Sequence, residues 1–173
     1  MAYPIRTGTK ADIDLLVLLI QDSFLDVAER FGLTPQNSPT HPSNCRPEWL
    51  LREINRGVTF YILENDGQPV GCAALEKIND EVCYLERLAV LPKERRKGFG
   101  EALVKHVLTN ARLLHAHRVQ IGIIAEHQEL HDWYEKLGFE DMESKKFPQL
   151  AFLVTFMSYY FLPGRGNGSA PSG

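Results

Sequence analysis

Arg95, Arg96 and Lys97 stand directly before Gly98-Phe99-Gly100-Glu101, where an apolar strand-like run gives way to an amphipathic one. Three cations, two glycines and a helix start are the parts of an anion cradle. The first amides of a helix lack intrahelical acceptors and the helix dipole favours negative charge at that end, so a phosphate is the natural guest. Gly98 and Gly100 can take positive φ and let a ligand oxygen approach the backbone. Downstream, Ala102, Leu103, Val104, Val107, Leu108, Ala111 and Leu114 recur at helical spacing, which predicts a helix over 98–114 with one buried stripe. The run is not a nucleoside-triphosphate loop, because no Gly-x-x-x-x-Gly-Lys-Ser/Thr is present. It also lacks the third glycine of a dinucleotide-binding fingerprint.

The elements around this cradle read as alternating helices and strands. Ile5 begins a short strand, and Thr9 with Asp12 forms a helix cap. The following helix carries Ile13, Leu16, Val17, Ile20, Phe24, Val27 and Phe31 on one stripe and stops at Gly32. A proline-rich loop over 33–46 leads to Pro47, which suits the first turn of a second helix holding Trp49, Leu50 and Ile54 and closing at Gly57. Residues 58–63 and 69–75 read as strands joined at Asn65-Asp66-Gly67, a strong hairpin signal. Further strands are expected over 82–91 and 118–124, a helix over 129–137, and a long last strand over 151–161 that could offer an edge for a dimer. This order is α/β with a mixed sheet.

A chain of 173 residues with 44% hydrophobic content is long enough to bury a core without metal or disulfide support. The expectation is one domain over 1–162 and a flexible glycine- and serine-containing tail over 163–173. A formal net charge of −3 argues against a general nucleic-acid binder. Three cysteines without framework spacing, no signal peptide and no long apolar segment point to a cytoplasmic protein with reduced thiols and no membrane association. The histidines show no paired ligand spacing, so no metal site is expected.

Two motifs in sequence order carry a resemblance. Arg95-x-x-Gly98-x-Gly100 resembles the pyrophosphate-binding motif of the GCN5-related N-acetyltransferase (GNAT) family, and Tyr134-Glu135-Lys136-Leu137-Gly138-Phe139 is similar to the family's Tyr-x-x-Leu-Gly-Phe signature. With the preceding strand they cover residues 82–143, the cofactor half of that fold. The resemblance implies a mixed, mostly antiparallel sheet flanked by helices, with splayed central strands. It implies acetyl-CoA as cosubstrate, with no metal, held by Leu88, Ala89 and Val90 along the pantetheine, by Arg95, Arg96, Lys97, Gly98, Phe99, Gly100 and Glu101 at the cradle, and by His127 and Tyr134. His127 departs from the asparagine that many members carry there.

Transfer to an amine needs a base, an acid and oxyanion stabilisation. Glu86, four residues before Val90 and alternating outward relative to Leu85, is the candidate base, with His127 or a water as alternatives. Tyr134 is the candidate acid beside the CoA sulfur. His41, Asn44, Trp49 and Glu86 are candidates for the acceptor pocket, with Phe147, Pro148 and Leu150 closing its other wall. The implied activity is acetyl transfer from acetyl-CoA to a primary amine of a small molecule or peptide, by a monomer or homodimer. The alternative is a non-catalytic sensor of CoA or acyl-CoA.

Overall fold

The computed structural model describes residues 3–162, so the tail expected over 163–173 lies outside the described residues. Seven strands and four helices follow one another as β1 (Ile5–Thr7), α1 (Ile13–Arg30), α2 (Pro47–Asn55), β2 (Thr59–Asn65), β3 (Gln68–Lys77), β4 (Val82–Val90), α3 (Phe99–Leu113), β5 (Arg118–Ile124), α4 (Gln128–Lys136), β6 (Glu140–Lys146) and β7 (Leu153–Tyr160). They form one sheet in the order β1-β2-β3-β4-β5-β7-β6, antiparallel except where β4 meets β5. Local chemistry explains most boundaries. Thr9 and Asp12 make the expected reciprocal capping box, on a short 3₁₀ turn leading into α1. Pro47 opens α2. Asp66 and Gly67 both adopt positive φ in a two-residue turn between the paired Asn65 and Gln68, the backbone that a tight hairpin requires.

Each face of the sheet buries its own core. Leu103, Val104, Val107 and Ala111 of α3 are fully buried against Ala73, Leu75, Cys83, Val119 and Ile121, with α4 packed on the same side. Leu16, Leu19 and Ile20 of α1, with Leu50 of α2, cover Phe60, Ile62, Cys72, Ala74 and Ala89 on the other. Each fully buried aliphatic side chain contributes roughly 1.5–3 kcal/mol, so these two layers hold the central strands in place.

Two expectations are corrected by the sheet. The last strand begins at Leu153 rather than at residue 151, and it is paired on both sides, to β5 and to β6, so it offers no free edge. The edge belongs to β6, a strand whose residues are all exposed. Its sequence, Glu-Asp-Met-Glu-Ser-Lys-Lys, has no apolar alternation, so nothing local announced it; pairing with β7 creates it. A charged edge strand of this kind resists further strand addition.

Candidate active site

The chemistry gathers where β4 and β5 part. Their parallel pairing covers only Val82–Tyr84 against Arg118–Gln120 and goes no further. On its other side β4 carries a bulge: Ala89 faces Cys72 and Glu86 faces Ala74, so Arg87 and Leu88 together oppose the single Ala73. Arg87 takes φ +54° there, a left-handed conformation that bends the strand. The separation opens a cleft of about 460 Å³ lined by Leu85, Glu86, Arg87 and Leu88 of β4, Gln120 to Ile123 of β5, Leu130 and Tyr134 of α4, Phe156 of β7, and Phe24, Pro42, Glu53 and Arg56 from the α1–α2 side.

The cradle stands beyond the end of β4. Gly98 is the N-cap of α3 with φ +87°, no side chain caps the helix, and a Cβ at Gly98 would meet nothing within 4 Å. The first amides of α3 are thus open for an anion. Gly100 does not take the positive φ expected of it. It is helical, and a Cβ there would lie 3.3 Å from the Trp133 ring, so the missing side chain lets α4 pack against α3. Arg95 is committed elsewhere. Its Nε donates to the Val90 carbonyl at 3.2 Å, and its other nitrogens donate to the Ser23 carbonyl and the Asp26 carboxylate, tying the loop to α1. Arg96 is exposed with φ +64°, Lys97 pairs with Glu94 at 2.9 Å, Phe99 is buried edge-on to Tyr3, and Glu101 pairs with Lys105 at 2.8 Å. Leu88 lines the cleft, while Ala89 and Val90 are paired to Cys72 and Gly71.

Glu86 sits in a web of charge that sequence reading did not anticipate. Glu76 and Glu86 lie on the same face of neighbouring strands, one diagonal step apart, and each carboxyl group shifts the other's ionisation. Arg56 holds Glu76 through two of its three guanidinium nitrogens, Nε at 2.9 Å and Nη2 at 3.2 Å, which lowers the Glu76 pKa. Burial, then the neighbouring Glu76, then Glu53, push Glu86 up to about 8, against the pull of Arg87. Glu53 in turn pairs with Arg87 at 2.7 Å, both side chains nearly out of solvent at 10% and 13% exposure, and the Arg87 guanidinium stands 5.7 Å from the Trp49 ring. Arg56, Glu76, Glu53 and Arg87 are the charged neighbours of Glu86, and no motif in the sequence marks them.

Tyr134 points into the same cleft. It is 5% exposed, and burial alone raises its phenol well above the ordinary tyrosine value. His127 is the N-cap of α4, packed 5.5 Å from Phe31 with Nδ1 3.2 Å from Glu129; it does not line the cleft, and burial lowers its pKa. Neither do His41, Asn44 and Trp49 line it. His41 is buried between Phe24 and Phe152, hydrogen-bonded to Ser43, and desolvation takes it down to about 4. Asn44 donates to the Ser38 carbonyl at 3.0 Å, bracing the loop. Phe147 packs edge-on against Phe156, one layer behind the wall. Among the described residues no group of three metal-ligating side chains assembles, and no helix is long and apolar enough to cross a membrane.

Comparison with known proteins accords with this geometry. An amino-acid acetyltransferase of Neisseria meningitidis is 32% identical over 103 residues, 59% of this chain, which spans only 22% of that relative's length. An uncharacterized N-acetyltransferase of Escherichia coli, YedL, is 31% identical over 110 residues, covering 62% of this chain and 68% of its own. Among solved structures, the PaiA N-acetyltransferase of Thermoplasma acidophilum in complex with coenzyme A matches with a TM-score of 0.75 at 19% identity, over 93% of this chain and all of that one. N-acetylglutamate synthase of Neisseria gonorrhoeae, complexed with coenzyme A and N-acetyl-glutamate, gives 0.69 at 22% identity, over 94% of this chain and 36% of its own. At these identities the structural likeness is one of fold. The model of the acetyltransferase (GNAT) family matches residues 26–139, a span that contains the bulged β4, the open start of α3 and Tyr134, and the chain belongs to that family.

Proposed function

We propose that the protein transfers an acetyl group from acetyl-CoA to a primary amine. The observation that carries this reading is a single cleft between diverging β4 and β5 that presents Glu86 and Tyr134 together, with the uncapped start of α3 beyond the end of β4. Family membership supports the reaction class, and structural neighbours that are complexes with coenzyme A support the donor. The residues fit that donor: the open N-cap at Gly98 suits a pyrophosphate, with Arg96 at its rim, and the bulged strand suits an extended amide-bearing arm.

Acetyl-CoA supplies the activated thioester. Glu86, directly or through one water, takes a proton from the incoming ammonium. A carboxyl held near neutral pKa is matched to that task, because it is ionised often enough to act and basic enough to accept. Tyr134, whose phenol stays protonated at physiological pH, donates to the departing thiolate. Leu88, Ile121 and Phe156 keep bulk water from the reacting atoms. His127, away from the lining, braces the entry to α4 rather than moving a proton.

Relatives named amino-acid acetyltransferases make an amino acid one class of acceptor to test. The deciding measurement is thiol release from acetyl-CoA by the purified protein against a panel of amines. Release that depends on the amine, and is lost in Glu86→Gln, is the expected result. Tight binding of acetyl-CoA with no release against any amine would establish the sensor alternative instead.

A further inference from the structure

We propose that the acceptor is an amine with an apolar or aromatic body and no carboxylate group. The inference rests on the acetyltransferase reading above and names its acceptor class. Near the point where β4 and β5 are still paired, the charged groups lining the cleft are Glu53, Arg56, Glu86 and Arg87. Both guanidiniums are already engaged through two nitrogens each. Arg87 donates to the two oxygens of Glu53 at 2.7 and 3.3 Å, and Arg56 to the two oxygens of Glu76 at 2.9 and 3.2 Å. Each fork uses two of the five guanidinium N–H groups and balances the cation's charge with a carboxylate of the protein's own.

Three carboxyl groups therefore face two committed cations, and the one over is Glu86. An ammonium entering here meets a carboxyl ready to ionise. A carboxylate entering beside that ammonium meets Glu86 and Glu53 where the charge of each lining cation is already balanced by a carboxylate of the protein's own. Like charges brought together under those conditions select against a ligand as effectively as attraction selects for one. Among the other residues lining the cleft Phe24, Tyr84 and Phe156 are aromatic, and ring faces attract cations and pack apolar chains. Arg118 shares this face of the sheet two residues before Gln120. Its Nη1 already donates to Gln120 and Ser158, both at 2.8 Å, and it does not line the cleft.

Amines matched to their own amino acids isolate the carboxylate. With acetyl-CoA saturating, kcat/KM is measured by thiol release for 2-phenylethylamine against phenylalanine and for 1,5-diaminopentane against lysine. The expected result is a preference for the carboxylate-free member of both pairs of at least about tenfold. Equal or inverted ratios overturn the proposal. Glu76→Gln removes the charge that holds Arg56, which lines the cleft, so each ratio should narrow through a gain by the amino acid; ratios that do not move overturn the argument from committed cations. Calorimetric affinities of the same pairs for the CoA-saturated protein repeat the comparison without chemistry. Discrimination in binding without turnover counts against the transfer reading alone, whereas equal affinities, or none for either amine, overturn the acceptor class.

Discussion

Glu86→Gln should yield a protein that is more stable than the parent at alkaline pH and nearly inactive. In the folded state the Glu86 carboxyl ionises at about 8 rather than at its ordinary 4.5. Between those values the unfolded chain has released this proton and the folded chain has not, so the unfolded state binds fewer protons and stability falls as pH rises through that window. At roughly 1.4 kcal/mol per pH unit the ceiling is on the order of 5 kcal/mol. The side chain is only partly buried and Arg87 lies close, so a loss of about 1–3 kcal/mol between pH 5 and pH 8.5 is the working magnitude. Glu76 titrates on the other side of the window, since Arg56 lowers its pKa, and contributes stability that is lost only under acid. Urea denaturation at several pH values gives the test. The difference in unfolding free energy between Glu86→Gln and parent should be small at pH 5 and grow by about 1–3 kcal/mol by pH 8.5. In parallel, the parent's kcat/KM should rise along an acid limb above pH 7, with an apparent pKa belonging to the Glu76–Glu86 pair. Parallel stability curves for the two proteins, or a limb near pH 4.5, would refute the reasoning.

Tyr134→Phe removes a buried hydroxyl whose environment is set by burial alone; the unfolding midpoint should change little while kcat drops by about 10²-fold or more. Gly98→Val puts a β-branched side chain at φ +87°; it should cost about 1–2 kcal/mol of stability and abolish measurable CoA affinity, while Arg96→Ala should weaken that affinity about tenfold by calorimetry. Unchanged affinity in both variants would remove the cradle from the mechanism. Glu53→Ala leaves Arg87 buried beside Trp49 without its partner; denaturation should show a loss of about 3–5 kcal/mol, part of it recovered when Arg87→Ala is added, and full additivity of the two changes would deny the pairing.

The parts legible in the chain were those that rest on local chemistry. The helical stripe of α3, the Asp66-Gly67 turn, the Thr9–Asp12 box and Pro47 at the start of α2 each need only neighbours a few residues away, and they fixed the order of elements. The glycine at the cradle was readable from the helix start beside it, whereas the tyrosine of α4 was singled out by the family resemblance of its Tyr-x-x-Leu-Gly-Phe run. Where the chain was silent, the cause was distance along it. Arg87 reaches Glu53 across 34 residues, Arg56 reaches Glu76 across 20, and Arg95 reaches Asp26 across 69. No periodicity encodes such pairs, so the acceptor candidates came from position alone, His41 and Asn44 from the loop over 33–46 and Trp49 from α2.

By itself the sequence determined an α/β chain with a phosphate-suited helix start and a tyrosine downstream, because backbone propensity, turn conformation and capping act over one or two turns of chain. Tertiary structure alone decided that β6 exists, that Gly100 makes room for Trp133, and that Glu86 is ringed by Glu76, Glu53, Arg56 and Arg87. The pKa of a carboxyl depends on what surrounds it in space, and that surrounding is assembled only when strands and helices remote in sequence come together.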